Sequence, residues 1–301
     1  MKRANSLLFV TKALIAKLIK DYIDLTKPGI IRGNLLTALA GFFLASQRHP
    51  HLSVGLGLII GLGLVIASAC VSNNYLDRHL DSRMERTKDR PLVSGRINGR
   101  NALIYAAILL ILGGGVLISL TNLLAFSLAI AGFLAYVALY GYYKRKSTLG
   151  TVIGSLSGAL PPLVGYAAVS DRLNLAAALL FLILVFWQMP HFFAIAIFRL
   201  KDYKAAGIPI LPATKGDVET KRQIIGYLVG YTISSIALYA FGFVGIPYLI
   251  GMIVICVIWL KIALDGFATK NLTKWGRQLF LFSLIAITGQ CLLIGTSYLY
   301  R

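Results

Sequence analysis

Long runs without a charged residue divide the chain at regular intervals. Six intervals contain no Asp, Glu, Lys or Arg: 52–76, 101–143, 147–170, 173–198, 223–260 and 278–300. A transmembrane helix needs about 20 mostly apolar residues, so each interval predicts at least one span. We divide the two longest intervals at 119–122 and near 245–247, and add a span over 28–47 that tolerates Arg32 and Asn34. The pattern predicts an all-α, polytopic bundle of nine transmembrane helices.

The positive charges alternate between the loops that this division creates. The segment before residue 28 and the loops 77–100, 144–148, 199–222 and 261–277 contain 26 of the 30 Lys and Arg residues. The loops and the terminus on the other side of the predicted spans contain only Arg48, Arg172 and Arg301. Because short cytoplasmic loops are enriched in Lys and Arg, we expect a cytoplasmic N-terminus and a C-terminus outside.

The composition agrees with a membrane protein. Hydrophobic residues make up 57% of the chain and charged residues 14%, and the formal net charge is +19. Nucleic-acid binding would require basic residues grouped on a soluble face, whereas here they separate apolar runs, so we expect the lipid bilayer and no nucleic acid as a partner. The three cysteines lie inside apolar stretches and are predicted to be buried thiols.

Residues 1–27 form a separate segment. Leu14, Ile15 and Leu18 recur at helical spacing, with Lys17 and Lys20 among them. This spacing predicts a basic amphipathic helix on the anionic cytoplasmic leaflet, and it is favoured over a signal peptide because lysines interrupt the apolar stretch. Residues 28–301 are then a single nine-helix domain.

Four of the eleven acidic residues are spaced four apart after the second span. If that helix continues past the membrane surface, Asn73, Asp77 and Asp81 share one face. Asp77 has no basic residue three or four positions away, and an unpartnered carboxylate at a membrane-proximal helix end usually marks a site. The alternative is a solvated helix end with local ion pairs, namely Asp81 with Arg78, Glu85 with Lys88, and Asp89 with Arg86.

These acids and their basic neighbours suit a metal-bound diphosphate. Magnesium commonly takes one or two carboxylates and completes its coordination with substrate phosphates. Arg86, Lys88 and Arg90 supply donors for phosphate oxygens, and the two guanidinium groups can bind them in a bidentate way. Acids and bases together therefore indicate Mg²⁺ with a diphosphate at this loop.

Several motifs resemble a known family. The Asn73-x-x-x-Asp77-x-x-x-Asp81 pattern is similar to the first aspartate-rich motif of the intramembrane prenyltransferase superfamily. The segments that resemble its protoheme IX farnesyltransferase branch are MERTKDRPL at 84–92, WQMPHF at 187–192, TKPGI at 26–30, GSLSGALPP at 154–162 and KDYKAAGIP at 201–209. They cover about residues 22–215 in the family's order. The resemblance implies a nine-helix bundle with a reaction chamber near the cytoplasmic side of a bacterial inner membrane.

The resemblance also implies an activity and roles for single residues. The family transfers farnesyl from farnesyl diphosphate to a vinyl group of haem B, and water completes the side chain of haem O. Carried over, Asn73, Asp77 and Asp81 would hold the Mg²⁺. The candidate diphosphate-binding residues are Arg86, Lys88, Arg90, Lys201, Lys204 and Arg145. Other branches often have a second aspartate-rich motif after the sixth span, where this chain has Asp202 between two lysines. Either lysine replaces a second metal as the charge partner of the diphosphate, or Asp202 is a further metal ligand.

Two residues within the spans are candidates for the haem pocket. His191 follows Pro190 in the middle of a span, and it either coordinates or orients haem or caps the helix break through a hydrogen bond. Arg32 either faces the chamber or extends its side chain to the interface, and we favour the chamber.

Two other functions are compatible with parts of the pattern. A prenyltransferase for an aromatic quinone precursor would use the same diphosphate site. A secondary transporter would place broken helices at mid-membrane, but it should concentrate acids within the spans, which contain none. The resemblance further suggests an association with haem A synthase or with terminal oxidase assembly.

Overall fold

A computed structural model describes the backbone of residues 2–47 and 49–300. Within these residues the chain is helical without strands, and nine helices are long and apolar enough to cross a membrane. In chain order, spans 1 to 9 are Pro28–Ser46, Leu52–Asp81, Gly99–Leu120, Leu123–Tyr143, Leu149–Ser170, Leu175–Phe198, Gly216–Ala240, Ile246–Asp265 and Leu272–Thr296. The prediction of an all-α nine-span bundle is confirmed. Arg48 and Arg301, two of the three basic residues predicted to lie outside, are not among the described residues.

The helices extend beyond the charge-free intervals at several ends. Span 2 continues to Asp81, span 7 begins at Gly216, and span 9 begins at Leu272. A charge-free interval marks the part of a helix that meets hydrocarbon, whereas the helix itself continues into the polar interface. The extension of span 2 places the predicted acidic face on helix, as the spacing required.

Asparagine side chains begin four of the spans. The side-chain oxygen of Asn122 accepts a hydrogen bond from the backbone N–H of Ala125, and Asn98, Asn174 and Asn271 cap their helices in the same way. Each cap satisfies a backbone donor that the first turn leaves free. Asn122 therefore accounts for the division of the long apolar interval between spans 3 and 4.

Span 5 runs through the interior and is broken at Ala159. It consists of Leu149–Gly158 and Leu160–Ser170, with Pro161 and Pro162 opening the second part. Gly165 packs so closely against span 1 that a Cβ atom there would lie 1.8 Å from the carbonyl oxygen of Ala38. Ala38 belongs to an apolar cluster from spans 1 to 5, and a larger cluster combines residues of span 1 with residues of spans 5 to 9.

Span 4 changes its helical pitch near its end. Ala135–Tyr140 is a π-helix between the α-helical segments Leu123–Leu134 and Gly141–Tyr143. The Tyr136 and Tyr140 rings stack within it, with centroids 5.4 Å apart. Such π segments often occur at functional sites because they rotate the residues that follow.

The N-terminal helix Lys2–Leu25 is tied to the loop that follows span 2. Arg96 Nε lies 3.1 Å from both carboxylate oxygens of Asp21. Apolar Leu14, Ile15 and Leu18 are exposed on this helix. Its binding to the membrane surface stays a prediction.

Candidate active site

The residues of the first aspartate-rich motif lie together at the end of span 2. Asn73, Asp77 and Asp81 are all buried, with 2%, 7% and 6% of their surfaces exposed. They occupy successive turns of one helix face, as predicted. Two buried carboxylates one turn apart repel each other, so the site requires positive charge from elsewhere.

Distant basic residues supply that charge. Lys144 and Arg145, which directly follow span 4, both form ion pairs with Asp77, Arg145 at 3.3 Å. Arg90 Nη1 donates to Asp81 Oδ2 at 2.6 Å and to Asn74 Oδ1 at 3.2 Å. The carboxylates are therefore neutralised by residues that the fold brings to them.

One predicted local ion pair is wrong. Arg78 does not pair with Asp81; its guanidinium lies 4.3 Å from the centre of the Tyr75 ring and donates to the Tyr75 carbonyl oxygen at 2.8 Å. Arg90 takes its place, because the non-helical loop 82–98 folds back over the helix end. The pair of Glu85 with Lys88 is confirmed at 2.6 Å, and the described residues include no pair between Asp89 and Arg86.

Lys27 enters the site from the residue before span 1. Its Nζ donates to Asn73 Oδ1 at 3.1 Å. Its backbone is left-handed, with φ of 53°, a conformation that costs a residue with a Cβ about 1–2 kcal/mol. Burial lowers the pKa of the Lys27 ammonium to about 8, and nearby Arg90 and Lys144 act in the same direction. An anionic ligand beside the Lys27 ammonium would stabilise its charged form.

These groups line a cavity of about 260 Å³, which we call the polar cavity. Its charged lining residues are Lys27, Asp77, Asp81, Arg86, Arg90 and Lys144. Four basic groups thus face two acidic ones, so the cavity is positively charged overall. Burial lowers the pKa of Lys144, while the Asp77 carboxylate opposes this effect. The arrangement suits a multiply charged anion.

The donor set at this cavity also fits one magnesium ion. Asp77 and Asp81 offer carboxylate oxygens, and Asn73 offers an amide oxygen that Lys27 occupies. In the described part of the chain, no group of three or more His, Cys, Asp or Glu side chains could hold a metal by itself. Two carboxylates suffice for magnesium when phosphate and water complete its coordination, so the residues fit a metal that arrives with its substrate.

A larger apolar cavity of about 610 Å³ adjoins the polar one. It is lined by residues of spans 1, 2, 4, 5, 6 and 9. Five residues line both cavities: Ile30, Tyr136, Tyr140, Phe192 and Tyr203. We call this set the junction. A ligand with a charged head and an apolar chain could place the bond between them here.

His191 lies in the wall of the apolar cavity. Its Nδ1 is 2.7 Å from Ser283 Oγ, and its ring stacks on Trp187 with centroids 4.8 Å apart. The described contacts include no hydrogen bond from His191 to the backbone at Pro190, so the predicted cap of the helix break is not formed. The residue therefore faces the chamber and is held by span 9.

Comparison with known proteins places this geometry in a family. Residues 34–285 match the model of the UbiA prenyltransferase family. The chain is 46% identical to a protoheme IX farnesyltransferase of Sodalis glossinidius over 284 residues, which are 94% of this chain and 96% of that protein. It is 49% identical to one from Photorhabdus laumondii, over 90% and 92% of the two chains. The chain belongs to the UbiA prenyltransferase family. It is therefore a membrane-embedded prenyltransferase.

Solved structures of low identity share the UbiA fold. A digeranylgeranylglyceryl phosphate synthase superposes with a TM-score of 0.78 at 21% identity, covering 94% of this chain and 99% of the other. A UbiA homolog from Archaeoglobus fulgidus bound to DMAPP and Mg²⁺ gives 0.68 at 16% identity, covering 91% and 99%. The complete bundle, rather than a part of it, is thus common to these proteins.

Some predicted site residues lie away from the cavities of this UbiA chain. Lys88, Lys201 and Lys204 are exposed and line neither cavity. Asp202 also lies outside both linings, 3.8 Å from Arg199, so the described residues do not bring it to the metal site. Arg145 reaches Asp77 without lining the polar cavity.

Arg32 departs from the orientation that we favoured. The residue is exposed on the surface of span 1 and lines neither cavity. Because it follows the start of the span by only four residues, its long side chain can reach the interface, which is the alternative that the sequence left open.

Sequence reasoning missed the roles of Lys27 and the junction tyrosines. Lys27 is part of a motif that carried the resemblance, but nothing in its spacing indicates contact with Asn73. Tyr136, Tyr140 and Tyr203 resemble an interfacial aromatic belt in sequence. The sequence feature that could have indicated their role is a spacing of four residues. Tyr140 follows Tyr136 by four residues and precedes Lys144 by four.

Proposed function

We propose that the protein transfers farnesyl from farnesyl diphosphate to a vinyl group of haem B and, with the addition of water, makes haem O. The polar cavity beside the apolar one supports this function, because it matches a substrate with an anionic head and an isoprenoid tail. The relatives named protoheme IX farnesyltransferase, at 46–49% identity, support the choice of acceptor.

The charged residues would hold the diphosphate in two ways. Asp77, Asp81 and Asn73 would bind Mg²⁺, which the structure of the Archaeoglobus UbiA homolog contains together with DMAPP. Lys27, Arg86 and Arg90 would donate directly to phosphate oxygens. Magnesium would supply charge stabilisation for the leaving diphosphate, and losing one such preorganised donor costs about 10²- to 10³-fold in rate.

The junction would protect the reacting carbon. Breaking the allylic carbon–oxygen bond leaves positive charge on the first farnesyl carbon, which lies between the two cavities in this arrangement. The faces of Tyr136, Tyr140 and Phe192 are the groups available there, and aromatic faces attract cations. The apolar walls exclude bulk water until the vinyl group of the acceptor attacks.

A reconstitution assay tests this proposal. Purified protein with magnesium, farnesyl diphosphate and haem B should yield a more hydrophobic haem, separated by reversed-phase chromatography and identified by mass. Removal of magnesium with a chelator should stop the reaction, and its return should restore it. Prenylation of an aromatic acid but not of haem would overturn the acceptor and establish the quinone-precursor alternative.

Three expectations belong to the same proposal. We expect the protein in the bacterial cytoplasmic membrane, which membrane fractionation would test. The polar cavity is expected to open to the cytoplasm, where farnesyl diphosphate is made. An association with haem A synthase or terminal oxidase assembly would appear as co-purification from mildly solubilised membranes.

A further inference from the structure

The imidazole of His191 is fixed by neighbours from two spans. Ser283 Oγ of span 9 lies 2.7 Å from its Nδ1. Trp187, on the preceding turn of span 6, stacks on the ring and donates its Nε1–H to the Ser283 carbonyl oxygen at 2.8 Å. The ring is therefore held from its edge and its face.

These contacts favour one tautomer of the imidazole. The Ser283 hydroxyl has a single hydrogen, which it donates to the carbonyl oxygen of Phe280 at 2.5 Å. In this arrangement the Ser283 oxygen accepts from His191, and Nδ1 bears the hydrogen. Nε2 is left with a free lone pair, and the described residues offer it no hydrogen-bond donor.

Aromatic rings pack around the His191 imidazole on several sides. The centroid of Phe280 is 5.0 Å from that of the imidazole, and Phe192 is at 5.7 Å. A cation within about 6 Å of aromatic rings is attracted by them, most strongly over their faces. Ser283 Oγ would also continue to accept from Nδ1–H in the imidazolium. The rings and Ser283 Oγ thus offset part of the cost of placing a transient charge on this buried residue.

The position of His191 relates it to the reacting carbons. It lines the apolar cavity, and the next residue, Phe192, is part of the junction. The vinyl carbon attacks farnesyl at the junction, so the remaining cation forms on the acceptor within the apolar cavity. No aspartate or glutamate lines that cavity, which leaves His191 as its strongest base among the described residues.

We propose that Nε2 of His191 accepts the proton of the water molecule that completes the reaction, an inference that rests on the proposed function. The outer vinyl carbon bonds to farnesyl C1 while the C1–O bond breaks and diphosphate leaves with its electron pair. The inner vinyl carbon is then the cation, and the water oxygen bonds to it. One water proton passes to Nε2, and His191 later releases it to solvent.

The ratio of two products tests this role. His191→Gln retains a polar side chain but removes the base, so the cation should lose a proton instead and give a product lighter by one water molecule. We expect the hydroxylated product to form about 10²-fold more slowly or worse. His49→Gln, an exposed residue between spans 1 and 2, is the matched control and should behave as wild type.

A second variant tests the orientation of the ring. Ser283→Ala removes the acceptor of Nδ1–H with little change in volume, and should raise the lighter product while leaving diphosphate release near wild type.

Restoration of the hydroxylated product in His191→Ala by added imidazole would further support the base, because a structural role is not rescued in this way.

The outcomes separate this inference from the proposed function. If wild-type protein makes no farnesylated haem, the function itself fails. If wild type is active and His191→Gln forms hydroxylated product at the wild-type rate, the proposed role of His191 as the base is wrong. A changed haem absorption band and weaker haem binding with unchanged product composition would assign His191 to the haem iron instead and overturn the inference.

Discussion

At the scale of single residues, Asp77 shows how the site is stabilised before substrate arrives. Its carboxylate is buried. Lys144 and Arg145, which directly follow span 4, neutralise it. Breaking a buried pair by removing one partner costs about 3–5 kcal/mol, because the remaining charge stays buried. The same carboxylate is the proposed metal ligand, so stability and activity depend on one side chain.

Asp77→Asn should therefore lower both activity and stability. We expect haem farnesylation to fall by about 10²-fold or more, because a proposed ligand of the metal is lost. Thermal unfolding in detergent should occur at a lower temperature, since the Lys144 ammonium remains buried without its strongest partner. The exposed Asp265→Asn serves as control and should alter neither quantity.

Adding Lys144→Met to Asp77→Asn separates the two effects. The double variant removes the ammonium that Asp77→Asn leaves buried and unpaired, so its unfolding temperature should recover towards wild type. Its activity should stay low. Wild-type activity in either variant would contradict the metal role of Asp77.

The sequence could predict these acids but not their partners. Helical spacing places Asn73, Asp77 and Asp81 on one face, and local offsets show that Asp77 lacks a neighbour of opposite charge. Arg90 reaches Asp81 only because an irregular loop turns back, and Lys144 is 67 residues from Asp77. Periodicity contains no information about such distant pairs.

At the scale of elements, the nine spans were predictable and their irregularities were not. Charge-free intervals and the Asn122 cap define the helices well, because hydrocarbon excludes charge along the whole span. The π segment Ala135–Tyr140 leaves no such mark, since all its residues are compatible with an ordinary apolar helix. It nevertheless determines where Tyr140 and Lys144 point.

Deletion of Ala138 should convert the π segment into regular α-helix. The residues that follow would rotate by about 100° relative to the start of span 4, since an α-helix has 3.6 residues per turn. Lys144 and Arg145 would then leave Asp77. We expect the variant to lose farnesyl transfer, as measured by product formation, while Ala138→Ser retains it. An active deletion variant would show that the π segment is not required.

The contact between spans 1 and 5 makes a second prediction at this scale. Gly165→Ala would place a methyl group 1.8 Å from the Ala38 carbonyl oxygen, and only movement of a helix could relieve the overlap. We expect a loss of about 1–3 kcal/mol, detected as a lower unfolding temperature. Gly226→Ala in span 7 meets no atom within 4 Å and should leave stability unchanged or slightly raise it. Equal effects of the two substitutions would argue against the close contact.

At the scale of the whole molecule, the distribution of charge and the position of the site coincide. The polar cavity is lined by the segment before span 1, by the loops after spans 2, 4 and 6, and by the adjoining ends of spans 1, 2, 4, 5 and 6. Those loops belong to the set that contains 26 of the 30 basic residues. The charges that predict orientation in the membrane therefore lie at the end of the bundle that would bind diphosphate.

This coincidence makes orientation a test of function. If the basic loops face the cytoplasm, a reporter that is active only outside the cytoplasm should be active when fused after Arg301 and inactive when fused in the loop 266–271. A cytoplasmic fluorescent reporter should give the opposite result at both positions. The reversed pattern would place the polar cavity outside, away from the cytoplasmic supply of farnesyl diphosphate. It would contradict both the predicted topology and the access of the substrate to Asp77.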